Sequence, residues 1–232
     1  MIDVTLKDHM GTDLSVVNAA RVSFGKSSTF DGRVGGPNVL KEVDAKLIKY
    51  LAKHRHMSPF GHCFASFHVK APVFVARQLV KHKFLRWNEI SRRYVDDEPE
   101  FYEPNEWRGR ADDKKQGSAG VVDINKAWDK LYPEDNGTLD FLPTGINEEC
   151  LETYKTLIEV GVCPEQARMV LPQSTMTEWY WSGSLDAFAD MVKLRVSGDT
   201  QKETRDLAWQ IDEAMLKLFP VSWDALVYGD DK

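Results

Sequence analysis

The amino-acid sequence predicts an α+β protein that folds as a single domain, residues 1–232, with a mixed sheet and flanking helices. Its 232 residues, 42% of them hydrophobic, can build one large core. Segments with helical periodicity outnumber the few segments whose apolar side chains alternate as in a strand. The two kinds do not alternate regularly along the chain, as they would in a parallel α/β fold. The absence of a GxGxxG motif agrees with this, because that motif marks a dinucleotide-binding parallel sheet.

Two helices are predicted ahead of the first core strand. Residues 12–23 should form a short helix and residues 39–54 a longer one. Residues 25–38 between them are rich in Gly, Ser and Asp, which is typical of a loop. The apolar face of the second helix would consist of Leu40, Val43, Leu47, Ile48 and Leu51.

The segment CFASFHVKA, residues 63–71, alternates apolar and polar side chains and therefore predicts a strand. A helix is expected from Pro72, because proline suits the first turn of a helix. The core-facing side chains of the strand would be Cys63, Ala65, Phe67 and Val69. The inner stripe of the helix would be Val73, Ala76 and Val80.

Residues 97–146 are polar and rich in turn-forming residues, and we expect them to form an excursion from the core. Beyond it, helices are predicted at 147–161 and 164–171. The segment TMTEWYW, residues 175–181, predicts a strand whose tryptophans lie in the core.

Two more helices complete the prediction. Ser184 is a candidate N-cap of a helix that ends at Arg195. Thr200 and Glu203 have the spacing of a capping box, which opens the last long helix. The inward side chains of the first would be Leu185, Phe188 and Val192. The stripe of the second would be Leu207, Ile211, Ala214, Met215 and Leu218.

A basic cluster stands out in an acidic chain. The chain has 36 Asp and Glu against 30 Lys and Arg, yet KHKFLRWNEISRRY, residues 81–94, is strongly basic around one carboxylate, Glu89. On the predicted helix Gln78, Lys81 and His82 share a face, at positions i, i+3 and i+4. Cations and an amide near a helix terminus suit a phosphate or another anion. A solvated charged surface explains the charges equally well.

The order of residues is more specific than the charge. Lys81-His82-Lys83, followed by seven residues and Ser91, resembles the Arg-His-Arg, seven residues, Ser signature of the flavin-dependent thymidylate synthases. The flanking segments HVKAPVFVARQ and NEISRRY are similar to that family too. Further similar segments are DLSVVNAARVSF, LAKHRHMSPFGH, EFYEPNEWRGR, PEQARMVLP and the region that ends in KLR at 193–195. The resemblance covers most of the chain, in order.

The resemblance implies the fold of that family and an enzyme that methylates dUMP to dTMP. Methylenetetrahydrofolate would supply the carbon as co-substrate, and NADPH would reduce a bound FAD, which is the hydride source. No covalent enzyme nucleophile is expected. The resemblance also implies a homotetramer with sites shared between subunits. Small molecules, and neither nucleic acid nor a membrane, would be its partners.

Roles for individual residues follow from the same resemblance. Arg195 would be the catalytic residue, because a guanidinium beside the uracil ring favours its ionised form. Arg168 would come from another subunit. The residues that bind dUMP would be Gln78, Lys81, Glu89, Ile90, Ser91, Arg92, Arg93, Arg168 and Arg195. The residues that bind FAD would be Ser58, Lys81, His82, Lys83, Glu89, Ser184 and Asp190.

The sequence departs from the family pattern at several of these positions. Lys81 and Lys83 replace the two arginines of the signature, which keeps the charge and loses the bidentate fork. Arg92 occupies a position that is usually glycine or another small residue. The family often has Asn, Arg and Asn at three positions that are held in this chain by Ser184, Asp186 and Asp190.

Two other functions fit parts of the sequence. The basic and aromatic segment KHKFLRW fits a module that binds single-stranded nucleic acid, although the acidity of the chain argues against it. A zinc-dependent hydrolase fits a histidine cluster whose spacing matches no known motif, so no metal site is expected. The cluster consists of His54, His56, His62 and His68. Ser91 has no partnered base in the sequence and is expected to bind substrate rather than act as a nucleophile.

The cysteines and the N-terminus bear on location. Cys63, Cys150 and Cys163 form no CxxC pair, which favours reduced thiols in a cytoplasm. The first residues, MIDVTLKDHMGTD, show no signal peptide. No apolar run approaches the roughly 18 residues of a membrane helix. We therefore expect a cytoplasmic protein.

Overall fold

The computed structural model describes residues 1–32, 39–95, 97–112, 117–131, 133–134 and 142–229. Helices and strands follow one another without regular alternation, so the α+β class is confirmed. Most of the buried apolar side chains of the described residues form one core cluster. Within the described ranges, no helix combines the length and the apolar character needed to cross a membrane.

The strands form a four-stranded sheet and a separate hairpin. Their bounds are β1 (Asp3–Met10), β2 (Phe64–Pro72), β3 (Leu85–Glu89), β4 (Arg108–Arg110), β5 (Ser118–Val121) and β6 (Met176–Ser184). The sheet has the order β1–β2–β6–β3, and β4 pairs with β5. All three pairings within the sheet are antiparallel, and the sheet is not mixed as predicted from the sequence. The alternation of apolar and polar residues agrees with this, because it is typical of antiparallel strands with one covered face.

The predicted helices are all present, with ends that differ by a few residues. The α-helices are α1 (Asp13–Arg21), α2 (Glu42–Lys53), α3 (Val73–Leu79), α4 (Asn125–Leu131), α5 (Leu142–Glu159), α6 (Pro164–Ala167), α7 (Leu185–Arg195), α8 (Lys202–Leu218) and α9 (Pro220–Trp223). Short 3₁₀ helices lie at Val22–Phe24, Ser58–His62 and Arg168–Val170.

Large aromatic side chains fill the space between one sheet face and the helices. Trp87 of β3 stacks on Trp179 of β6 with ring centroids 4.2 Å apart. Phe188 of α7 meets Phe67 and Trp181 edge-on, at 5.2 and 5.6 Å. Aromatic pairs of this geometry add to the stability that burial alone provides. The predicted core positions of β2, of the tryptophan-rich strand and of α7 are confirmed, because these side chains are buried.

The opposite sheet face is polar and only half-buried. His68 Nε2 lies 3.0 Å from Glu178 Oε2, and the Ser66 and Ser182 hydroxyls are 2.7 Å apart. Tyr180 remains 49% exposed on this face. The helices of the described chain therefore cover one face of the sheet and leave the other accessible.

Two predicted helix faces need correction. In α2, Val43 is 60% exposed and Asp44 is buried in its place. In α3 the buried side chains are those of Val75, Ala76 and Leu79, not Val73, Ala76 and Val80. Pro72 is the last residue of β2, so the helix starts one residue later than predicted, and it ends at Leu79, before the predicted inward residue Val80. Lys81 and His82 lie beyond the end of α3 at Leu79, in the turn that leads to β3.

Three local predictions also differ from the structure. The sequence predicts a short strand at ISRRYV, residues 90–95, but these residues form the turn after β3, the strand Leu85–Glu89 in which Trp87 stacks on Trp179. The capping box is not formed, since Gln201 is the N-cap of α8 and Thr200 donates to the Leu194 carbonyl. The predicted excursion contains β4, β5 and α4 in its described part. Residues 33–38, 113–116 and 135–141 of the predicted loops lie outside the described residues.

A buried carboxylate fastens the chain after α1 to α2. Asp44, whose side chain is fully buried, accepts hydrogen bonds from Arg21 Nη2 at 2.5 Å and Nε at 3.1 Å. Ser28 Oγ donates to its other oxygen at 2.5 Å. Burial on its own raises the pKa of Asp44, but the bonds from Ser28 and Arg21 outweigh it and lower the pKa overall.

We predict that Asp44→Asn lowers the free energy of unfolding by about 2–3 kcal/mol at neutral pH, because it leaves Arg21 without its charged partner. Because the folded pKa is depressed, this contribution is present above the unfolded pKa of about 4 and is lost as pH falls through the folded value. Urea denaturation of wild type and variant at several pH values measures both effects.

Glu42→Gln is the matched control on the same helix. The side chains of Glu42 and Lys46 form an ion pair at 2.6 Å and are largely exposed, at 83% and 74%. Exposed pairs contribute little, so this variant should unfold like the wild type. Equal urea midpoints for the Asp44 and Glu42 variants would contradict the assignment.

Candidate active site

A cavity of about 730 Å³ lies where α3, α7 and α8 meet the β4–β5 hairpin. The α3 helix contributes Phe74 and Gln78, and the turn after it contributes Lys81. The end of α7 contributes Arg195. Three of the residues predicted to bind dUMP, Gln78, Lys81 and Arg195, are thus brought together.

Arg195 connects the end of α7 to the α3–β3 turn. Its Nε donates to His82 Nε2 at 2.9 Å, and its Nη2 donates to the Gln78 carbonyl at 3.3 Å. Burial, helped by the charge of Arg195, lowers the pKa of His82 to about 4. His82 is therefore neutral at physiological pH, and its ring nitrogen can accept from the guanidinium. Burial also lowers the pKa of Arg195, although a guanidinium stays protonated in proteins.

A second group of polar residues surrounds Glu203 at the start of α8. Glu203 is 5% exposed and accepts from Arg108 Nη2 at 2.6 Å and from Gln201 Nε2 at 3.1 Å. Burial on its own raises the pKa of Glu203, but the hydrogen bond from Arg108 leads the contributions that lower it overall. Burial, together with the negative charge of Glu203, raises the pKa of Tyr102 on the same wall.

The amide of Gln78 belongs to this group as well. Its Nε2 donates to Gln201 Oε1, and its Oε1 accepts from Thr204 Oγ1 at 3.1 Å. Thr204 is fully buried, so its hydroxyl has this amide as a fixed partner. Both ends of the Gln78 side chain are therefore held in place on the cavity wall.

The rest of the predicted dUMP segment begins at Glu89, the last residue of β3, and does not line the cavity. Glu89 accepts from Thr177 Oγ1 at 2.7 Å and from Trp87 Nε1 at 2.9 Å. The backbone N–H of Ile90 donates to the Glu178 carbonyl at 2.9 Å. The segment therefore begins at the edge of the sheet, which β3 forms next to β6.

Three polar residues of the turn after β3 are held locally. Ser91 Oγ accepts from Arg93 Nε at 3.2 Å. Arg92 Nη1 lies 3.1 Å from Asp97 Oδ1, and the guanidinium of Arg93 lies 4.9 Å from the ring centroid of Tyr94. Arg92 Nε is buried without a hydrogen-bond partner among the described residues.

The remaining predicted residues lie outside the cavity. Ser58 begins a 3₁₀ helix and is exposed, as is Lys83 in the turn before β3. Ser184 is the N-cap of α7, and Asp190 is exposed on the same helix. Arg168 is exposed, and its Nε donates to the Glu165 carbonyl at 3.2 Å.

Several cavity residues were not anticipated from the sequence. Tyr102, Trp107 and Arg108 come from the predicted excursion, and Gln201 and Glu203 come from the start of α8. The sequence signal for the first three is the segment EFYEPNEWRGR, which resembles the family but whose residues received no predicted role. The capping-box spacing predicted a backbone contact for Glu203, whose carboxylate instead accepts a hydrogen bond from Arg108.

The histidine cluster of the sequence does not form a metal site among the described residues. No group of three or more His, Cys, Asp or Glu side chains within them is close enough to hold an ion. His54 and His56 instead lie beside Tyr50, with ring centroids 4.3 and 6.1 Å from its ring.

The fold and the cavity define the structural class of this chain. The crystal structure of the UMP/dUMP methylase PolB from Streptomyces cacaoi bound with 5-Br UMP superposes with a TM-score of 0.78 at 29% sequence identity. The match covers 98% of this chain and 94% of that one. The same enzyme bound with 5-Br dUMP gives a TM-score of 0.79 at 30% identity. The chain thus has the architecture of a nucleotide methylase.

The chain belongs to the family described as thymidylate synthase complementing protein, whose match spans residues 5–221. It is 40% identical over 222 residues to a flavin-dependent thymidylate synthase from Thermus thermophilus, covering 96% of this chain and 74% of that protein. It is 36% identical over 226 residues to the enzyme of the same name from Kosmotoga olearia, covering 97% and 89%. The family implied by the signature at 81–91 is therefore confirmed.

We predict that His82 titrates with a pKa of about 4, because burial disfavours its protonated form and Arg195 adds a positive charge. Arg195→Met removes the charge and should raise this pKa, but not to the ordinary value of about 6.5, since burial is the larger cause. NMR titration of ¹³C-labelled histidine measures it, with the signal assigned by its loss in His82→Gln. An unchanged pKa in Arg195→Met, or a wild-type value near 6.5, would contradict the contact.

Proposed function

We propose that this chain is a flavin-dependent thymidylate synthase, which methylates dUMP to dTMP with methylenetetrahydrofolate as carbon donor and NADPH as reductant. One observation carries the proposal. Gln78, Lys81 and Arg195 line one cavity in a chain whose residues 5–221 match the thymidylate synthase complementing protein family.

The cavity suits a nucleotide in size and chemistry. Its volume of about 730 Å³ lies in the range of roughly 300–1,000 Å³ that is usual for small-molecule sites. Tyr102 and Trp107 supply aromatic surface for a planar base. Lys81 is exposed at the rim, where a flexible ammonium can follow a phosphate.

Arg195 is proposed as the catalytic residue because its position is fixed before substrate binds. A guanidinium has five N–H donors, and His82 and Gln78 hold two of the nitrogens. The rest of the group lines the cavity and can donate to a pyrimidine carbonyl. A preorganised cation there stabilises negative charge that develops on the ring during methylation.

A covalent enzyme nucleophile is not part of this proposal, in keeping with the side chains at hand. Burial raises the pKa of the Cys63 thiol to about 11, so its reactive thiolate is rare at physiological pH. Cys150 and Cys163 are free thiols and do not line the cavity. The Ser91 hydroxyl accepts from Arg93, which is a cation and cannot act as its base.

The side chains around α7 and the basic turn fit a flavin dinucleotide. Asp186 Oδ1 is buried and has no hydrogen-bond partner among the described residues, which leaves an acceptor for a ribose or adenine donor. Lys81 and Lys83 are exposed and match the charge of a pyrophosphate. We propose that they hold FAD together with Ser58, His82, Glu89, Ser184 and Asp190. FAD, once reduced by NADPH, supplies the hydride.

A homotetramer with shared sites is the second part of the proposal. The polar face of the sheet is left accessible, with Phe64 43% and Tyr180 49% exposed. Arg168 and the segment Glu89–Arg93 lie outside the cavity of their own subunit. We propose that they bind dUMP at the site of a neighbouring subunit. A cytoplasmic location stays a prediction from the sequence.

An absorption spectrum followed by a turnover assay tests the proposed function. The purified protein should absorb as a flavoprotein and should bleach when NADPH is added in the absence of oxygen. With dUMP and methylenetetrahydrofolate it should then form dTMP and tetrahydrofolate, detected by chromatography. A protein that loads with FAD but forms no dTMP under these conditions would refute the proposal.

We predict that Arg195→Ala lowers the turnover rate at least about 100-fold while FAD remains bound, because a preorganised charge on the reacting ring is lost. Lys193→Ala is the matched control, since it removes an exposed cation from the same helix. Turnover and flavin content are measured for both variants. Wild-type turnover in Arg195→Ala would remove Arg195 from the catalytic role.

A further inference from the structure

The hydrogen bonds along one cavity wall converge on the carboxylate of Glu203. Arg108 donates to Glu203, Gln201 donates to Glu203, and Gln78 donates to Gln201. This series of hydrogen bonds ends where Thr204 Oγ1 donates to Gln78 Oε1 at 3.1 Å. These residues connect the β4 strand, 95 positions before Glu203, to the α3 helix that carries Gln78.

Chemistry dictates that direction, because an ionised carboxylate can only accept hydrogen bonds. Facing Glu203, Gln201 must present its NH₂ group, which turns its carbonyl oxygen toward Gln78. Gln78 must then present its own NH₂ group, and its carbonyl oxygen is left to accept from Thr204. A glutamine amide can otherwise rotate by half a turn and exchange its donor and its acceptor.

Glu203 is well placed to keep its charge. Its carboxylate is 5% exposed, and the guanidinium of Arg108 lies against it at 2.6 Å. A buried carboxylate that is paired with arginine favours the ionised form. The Glu203 carboxylate is therefore a permanent hydrogen-bond acceptor at physiological pH.

We propose that Glu203 is a positioning residue that fixes the orientation of the Gln78 amide and thereby makes the cavity prefer a uracil base over a cytosine base. This inference rests on the proposed function, since it concerns the pyrimidine nucleotide in that cavity. Glu203 acts through Gln201 and does not itself touch the base.

The two bases differ in the order of their hydrogen-bonding groups. Uracil presents a carbonyl acceptor beside the N3–H donor, whereas cytosine presents an amino donor beside an N3 acceptor. The Gln78 amide keeps one N–H and one carbonyl lone pair after its bonds to Gln201 and Thr204. Held in one orientation, the amide matches the N3–H donor and adjacent carbonyl of uracil. A cytosine in the same position would match only after the half-turn that Glu203 prevents.

Nucleotide affinity tests the inference without depending on turnover. The dissociation constants of dUMP and dCMP are measured by calorimetry for the flavin-loaded wild type and for Glu203→Gln. A glutamine at 203 can donate as well as accept, so it frees Gln201 and Gln78 to rotate. The preference for dUMP, expressed as the ratio of the two constants, should fall about tenfold, which is the effect of one hydrogen bond. An unchanged ratio would overturn the inference.

Two further variants make the test independent of folding. Gln201→Met interrupts the series of hydrogen bonds but keeps the ion pair of Arg108 and Glu203. It should reduce the ratio to a similar extent. Asp206→Asn is the matched control, because it removes a half-exposed carboxylate that pairs with Lys202 on the same helix. It should leave the ratio unchanged. A reduced ratio in Asp206→Asn would mean that general disturbance of α8 is the cause, and would overturn the inference.

Failure of this inference can be distinguished from failure of the proposed function. A wild type that binds dUMP, with the same ratio in all variants, refutes the role of Glu203 alone. A wild type that binds neither nucleotide refutes the proposed function, and the inference with it.

Discussion

The candidate site depends on one hydrogen bond, in which a half-buried cation donates to a neutral imidazole. Arg195 ends α7 and His82 lies in the turn after α3, so the 2.9 Å contact fastens two elements that are far apart in sequence. It forms only because burial keeps His82 neutral, since an imidazolium would offer no acceptor and would repel the guanidinium. The same contact holds the basic turn beside the cavity, where Lys81 can meet a ligand.

The sheet supplies the rigidity that this contact needs. Trp87, Trp179 and Trp181 pack together beneath β3 and hold the strand that follows the basic turn. Gly183 of β6 faces Leu85, and a methyl group at Gly183 would overlap the Leu85 side chain and crowd the Phe84 carbonyl. Phe84 itself has φ at +65°, a conformation that costs a non-glycine residue of the order of 1 kcal/mol. Packing against β6 therefore maintains a strained turn directly beside the site.

Local patterns in the sequence predicted those structural features that depend only on residues close together in the sequence. Alternation identified β2 and its core side chains, and the signature at 81–91 located the turn that carries His82. Contacts between distant segments could not be predicted in this way. Glu203 has the spacing of a capping residue, yet it pairs with Arg108 because the hairpin folds over the start of α8, and no periodicity encodes that approach. Likewise Asp44 is buried although the predicted apolar face contained its neighbour Val43, because Arg21 and Ser28 satisfy the Asp44 carboxylate.

The central claim is that Arg195, fixed by His82, meets the pyrimidine of dUMP in the cavity that Gln78 and Lys81 also line. A crystal structure of the flavin-loaded protein soaked with dUMP tests it most directly. The account predicts a pyrimidine carbonyl within hydrogen-bond distance of the Arg195 guanidinium, with Arg195 Nε still on His82 and the flavin ring against the base. A nucleotide bound outside this cavity, or one whose base is separated from both Arg195 and the flavin, would contradict it.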